Sequence, residues 1–185
     1  MAQAAKTAPA DSLEANEYDG ITISLLTCGP GEEVYTLYGH TAIRICDTTR
    51  HADIVVNYGM FSFRQNFFVA RFILGLTDYM IGITSFSNFV DEYTYEGRWV
   101  YEQVLNLRQE EKKAIIAAID ENSKPENATY RYNCFYNNCT TRARDILTEN
   151  ISGKVGYAPE TWDAPSFRDM CHSKTADHRW SSFGN

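Results

Sequence analysis

Apolar and polar positions along this chain alternate as strands do in some stretches and repeat as helices do in others. Ile21–Cys28 reads ITISLLTC, a β-like run that stops at Gly29, Pro30 and Gly31, residues that break regular structure. From His40 onward, Thr41, Ile43 and Ile45 alternate with Ala42 and Arg44, which predicts a second strand. Residues 47–51 are a polar turn and residues 52–58 (ADIVVNY) a third strand, so the two strands form a hairpin. Residues 63–74 read as a helix closed by Gly75, residues 78–84 as a short strand and residues 87–95 as a helix. Residues 98–107 (RWVYEQVLNL) alternate again and predict a further strand. The clearest helix covers residues 109–122, with Ala114, Ile115, Ala118 and Ile119 on one stripe. A Tyr- and Asn-rich loop over residues 130–138 leads into a helix over residues 139–149, whose apolar face carries Cys139, Ala143, Ile146 and Leu147. Beyond Gly153 the chain reads as loop, apart from a short helix over residues 166–172. Residues 1–18 lack periodicity and are expected to be a disordered arm, with residues 19–185 forming one domain.

Bulk properties narrow the function. At 185 residues, 44% of them hydrophobic, the chain can bury a core of its own and is long enough for one domain. A net charge of −7 with scattered Lys and Arg excludes the clustered basic surface that nucleic acid requires. The same balance leaves no polybasic strip for anionic lipid headgroups. No stretch reaches the roughly 18 to 20 apolar residues of a spanning helix, since the greasiest run is broken by Arg71. No charged-then-apolar leader opens the chain, so targeting and membrane-anchoring parts are expected outside it. Five cysteines are an odd set: one reactive thiol plus up to two disulfides suits an oxidising compartment, while ordinary buried thiols suit the cytosol.

Cys139 stands where a helix begins. There, unpaired backbone N–H groups and the positive end of the helix dipole favour thiolate, the state a nucleophile needs. Such a thiol also needs a base that exchanges a proton near neutral pH, and His40 is the one histidine that opens a strand. His51 lies in a turn, and His172 and His178 lie in the irregular tail. On these grounds alone the pair competes with plain packing of a cysteine on an apolar helix face. Zinc is a further alternative, through Cys134, Cys139, His40 and Cys171 or His172, but no second closely spaced ligand pair accompanies Cys134 and Cys139. No metal and no cofactor is therefore expected. Cys28, Cys46, Cys134 and Cys171 remain available for disulfides, without a pairing that the sequence selects.

The strings GPGEEVYTLYGHTAIRI, VVNYG and YRYNCFYNNCTTRARDIL resemble the amino-terminal periplasmic domain of the lipoprotein N-acyltransferase Lnb family, over residues 21–182. YGH, NYG and NCTTR are the specific anchors. The order of a histidine strand, a polar residue on the next strand and a cysteine at a helix start is also similar to circularly permuted NlpC-type, papain-like enzymes, including the lecithin:retinol acyltransferase group. The resemblance implies an α+β fold, an antiparallel sheet packed against the nucleophile-bearing helix. It further implies Cys139 as nucleophile, His40 as base and Asn57 as the residue that orients the imidazole, a position more often His in the acyltransferase relatives.

The activity implied by the resemblance is cysteine-dependent acyl transfer on a lipid or lipoprotein ester, through a thioester on Cys139. The implied location is the periplasm, in a protein anchored to the membrane by other parts. Tyr38, Phe67 and Arg142 are the expected substrate contacts: Phe67 lies in the aromatic segment FSFRQNFFVARF, and Arg142 could neighbour a lipid phosphate. The commoner arrangement for Arg142 is an ion pair with a carboxylate such as Asp145. Two other functions share the sequence features, a cell-wall peptidase or amidase with the same Cys-His pair and a non-catalytic envelope binding domain.

Overall fold

The computed structural model describes residues 17–61, 78–153, 155–156 and 165–175. Three consecutive strands carry the apolar alternation into a sheet: β1 (Ile21–Cys28), β2 (His40–Asp47) and β3 (Ala52–Met60). β1 and β2 pair from Ile21 opposite Asp47 to Cys28 opposite His40, and β2 and β3 form the expected hairpin through a turn in which His51 takes a positive φ of 53°. β4 (Asp78–Ser85), β5 (Val100–Val104) and β6 (Thr129–Arg131) complete a six-stranded antiparallel sheet in the order β5-β1-β2-β3-β4-β6. Among the described residues four α-helices accompany it: α1 (Phe86–Tyr95), α2 (Gln109–Ser123), α3 (Cys139–Asn150) and α4 (Phe167–Thr175).

Successive side chains of a strand point to opposite faces, so each strand feeds two cores. Ile23, Ile43, Val56, Tyr58 and Ile81 meet Ile115 and Ile119 of α2 and Ala143 and Ile146 of α3 on one face. Leu26, Ala42 and Val55 meet Phe89 and Tyr93 of α1 on the other. The fold is α+β, a sheet between helices.

Two sequence expectations change in the folded molecule. The strand over residues 98–107 shrinks to β5, because it is an edge strand whose residues are almost all exposed; Val100 at its start packs on the Leu26–Phe89 core, and Leu105 and Leu107 beyond its end pack on the other. The loop over residues 130–138 contains β6 and a bridge between Asn133 and Asn137, short elements that leave no periodic trace. The helix over residues 63–74, including Phe67, falls outside the described residues, as do residues 1–16 of the expected arm. Glu17 and Tyr18 are anchored, Glu17 by Arg50 at 2.6 Å and Tyr18 through its carbonyl by Lys112 at 3.3 Å.

Glu111 locks α2 to α3. Its carboxylate accepts the Arg108 backbone N–H at 2.9 Å ahead of α2 and the Ser152 N–H at 2.8 Å just past α3. These hydrogen bonds, first from Ser152 and then from Arg108, hold the carboxyl down to about 2. A depressed carboxyl contributes stability above its unfolded value of about 4.3 that is lost as pH falls toward 2. Glu111→Gln is expected to lower the denaturant midpoint at pH 7 and to flatten the loss of stability between about pH 4.5 and 2; urea titrations across that range provide the check.

Candidate active site

β2 and β3 bring the first pieces together at one end of the sheet. The chain enters β2 through Gly39, whose φ of +74° suits glycine, and a Cβ there would lie 2.5 Å from the Cys28 carbonyl oxygen. No other residue allows that approach, and it is the approach that starts the histidine strand. His40 Nε2 lies 3.0 Å from Asn57 Oδ1. Asn57 is only 6% exposed, so its amide is fixed and accepts the Nε2–H. This bond leaves Nδ1 for another partner.

The partner comes from α3. Asn138 caps the helix by accepting the Thr141 N–H at 2.9 Å, while its own N–H goes to Thr141 Oγ1 at 2.8 Å. Cys139 is therefore the first helical residue, beside N–H groups that have no intrahelical acceptor. Thr140 Oγ1 lies 2.9 Å from Thr41 Oγ1, which clasps the helix start to the residue after His40. On the other side is Gly59, with φ +93°, where an added Cβ would sit 3.8 Å from Cys139 Cβ.

Cys139 and His40 are close enough to act on each other, and their charges are coupled. Burial by itself would raise the thiol, but the neighbouring ring and positive charge of His40, helped by the Thr41 N–H, bring it down to about 7. For His40 burial opposes protonation and Cys139 overrides it, with a smaller contribution from Asn57, so the imidazole is held above its ordinary value. Both shifts run in the direction that favours thiolate beside imidazolium over the neutral pair.

A family described as the Lnb N-terminal periplasmic domain has a model that matches residues 8–168. The chain belongs to this family. No curated protein matches the chain, and no solved structure does. As the Lnb N-terminal periplasmic domain, the molecule is an extracytoplasmic part of a lipoprotein-processing envelope protein. None of its described helices is long and apolar enough to cross a membrane.

The other sequence-predicted residues fall into place unevenly. Tyr38 is 55% exposed, and desolvation followed by the influence of Cys171 on α4 pushes its phenol up. Arg142 does not pair with Asp145. Its Nε donates to Asn137 Oδ1 at 2.7 Å and its guanidinium covers the Tyr130 ring at 4.1 Å, while Asp145 takes Arg144 at 2.6 Å. Helical side chains lean toward the amino terminus, which carries Arg142 back over the preceding loop. Phe67 is outside the described residues. Among the described residues no three His, Cys, Asp or Glu side chains converge as metal ligands would.

Sequence reasoning missed Thr41, Thr140 and Tyr130. The two threonines directly follow His40 and Cys139, an adjacency that was open to view. Tyr130 belongs to β6, which has no readable pattern. Its hydroxyl is buried and donates to no acceptor among the described residues, while its oxygen lies near the Gly59 backbone and within reach of the Cys139 charge. Burial pushes the phenol far above its usual range, so it remains a proton donor. A separate hollow of about 260 Å³ between α1 and β5, lined by Leu26, Phe86, Tyr93 and Arg98, includes none of Cys139, His40 and Asn57.

The rate of Cys139 alkylation by iodoacetamide is expected to rise with a midpoint near pH 7. His40→Ala moves that midpoint up toward the ordinary thiol value of about 8.5, and Asn57→Ala moves it part of the way. Stopped-time alkylation read by mass spectrometry across pH 5 to about 10 measures both shifts.

Proposed function

We propose that this domain is a papain-like cysteine acyltransferase that takes an acyl group from a lipid or lipoprotein ester onto Cys139 and passes it to an acceptor amine. The observation that carries the reading is the Asn57–His40 hydrogen bond together with Cys139 at the capped start of α3, surroundings in which His40 draws the thiol down. A binding module has no need of a thiolate prepared in this way.

In the acylation step the Cys139 thiolate attacks the ester carbonyl carbon. The carbonyl oxygen becomes an oxyanion, met by the N–H groups of the first turn of α3 and by the Tyr130 O–H. As the tetrahedral species collapses the C–O bond breaks, the His40 imidazolium gives its proton to the departing oxygen, and a thioester remains on Cys139. The acceptor amine then attacks the thioester, neutral His40 removes its proton, and thiolate leaves as the amide forms. Asn57 keeps the ring aimed throughout. Tyr38 and Arg142 are assigned to the substrate: Tyr38 is exposed two residues before His40, and Arg142 offers a cation next to Asn137 and Tyr130. Membrane attachment belongs to parts of the protein outside this chain.

Incubation with a fatty-acyl ester probe is expected to leave an acyl adduct on Cys139, absent in Cys139→Ser. Cleavage of muropeptides in a parallel reaction, without acyl adduct, replaces this function with cell-wall amidase activity. Neither product leaves an envelope binding domain. Tyr130→Phe is expected to lower kcat for acyl transfer on the order of 100-fold, the range for one oxyanion donor. The same variant keeps its iodoacetamide alkylation rate, because that reaction forms no oxyanion.

A further inference from the structure

The turn that delivers Cys139 to its helix is itself held by α4. Phe135 stacks on Phe167 with ring centroids 4.2 Å apart and planes at 22°, and Tyr136 meets the same ring edge-on at 5.7 Å. Phe167 and Cys171 are four residues apart on α4 and share a helix face. That face lies against the turn, where Cys134 immediately precedes Phe135. Tyr38 lies within the electrostatic reach of both sulfurs, Cys171 more strongly than Cys134. All five cysteines are thiols in this structure.

We propose that Cys134 and Cys171 form a disulfide once the protein reaches the extracytoplasmic compartment. The compartment is oxidising, a sulfur-free aromatic contact sets the turn that carries Cys134 against the helix that carries Cys171, and Cys134 lies in the field of Cys171. In the reaction one thiolate attacks a disulfide of an extracytoplasmic thiol-oxidising protein, forming a mixed disulfide. The second thiolate then displaces that protein. Two protons and two electrons leave the cysteine pair, and the oxidant departs as a dithiol. The other sulfurs are placed differently. Cys28 is buried at the end of β1 with Tyr93 as its hydrogen-bond partner, and Cys46 stands on β2 between Thr22 and Asp53 of the neighbouring strands. Cys139 faces His40.

The cross-link joins α4 to the turn whose Cys134 carbonyl accepts the Asn138 side-chain amide at 2.7 Å. Asn138 is the cap of α3, so the bond braces the start of the nucleophile helix from outside. It does not depend on the acyl-transfer chemistry and is tested without any substrate.

The protein and its Cys139→Ser variant are equilibrated in a glutathione buffer at extracytoplasmic poise, alkylated under denaturing conditions and digested with trypsin. Both are expected to yield the peptide of residues 132–142 joined to the peptide of residues 169–174, with Cys28 and Cys46 recovered alkylated. Persistence of the linked pair in Cys139→Ser assigns the bond to Cys134. Recovery of Cys134 and Cys171 as alkylated thiols, or of either one linked to Cys28, Cys46 or Cys139, overturns the proposal.

Discussion

A sulfur anion in a half-buried position must be stabilised by positive charge, and the supports of Cys139 come from parts of the chain far apart in sequence. One is local: the capped first turn of α3, where Asn138 fixes the helix start and the backbone N–H groups point outward. The other is remote: the His40 ring, which must arrive in a set orientation to be of use. Much of the architecture can be understood as the means of bringing the second to the first. The β2–β3 hairpin aligns His40 with Asn57, the apolar face of α3 presses Ala143 and Ile146 into the same core as Ile43 and Val56, and the Thr41–Thr140 contact ties strand to helix at the point of meeting.

This dependence explains where the sequence was readable. β1, β2 and β3 are central strands with both faces buried against helices, so their alternation reports burial directly. The start of α3 could be read because Asn138 is a strong cap and the apolar positions behind it keep helical spacing. His40 and Cys139 therefore emerged from local pattern, and Asn57 from family resemblance. Their meeting is a long-range fact that no window of sequence contains.

Elsewhere the pattern misled for physical reasons. Trp99, Tyr101 and Gln103 alternate convincingly, yet β5 is an edge strand and its alternation separates one exposed side from another. Arg142 and Asp145 have the spacing of a helical ion pair, but side-chain direction sends the arginine toward Asn137 and leaves the aspartate to Arg144. Tyr130 was invisible because its environment is made by Gly59, Cys139 and Arg142, three residues from three separate stretches of chain.

The order of these pieces along the chain has a biosynthetic consequence. His40 sits on an early strand and Cys139 on a late helix, so translation finishes the histidine hairpin long before the cysteine emerges. A polypeptide threaded across a membrane in extended form carries an ordinary, protonated thiol in place of a thiolate. The coupling that lowers the Cys139 thiol forms only when α3 docks on β2, in the compartment in which folding is completed.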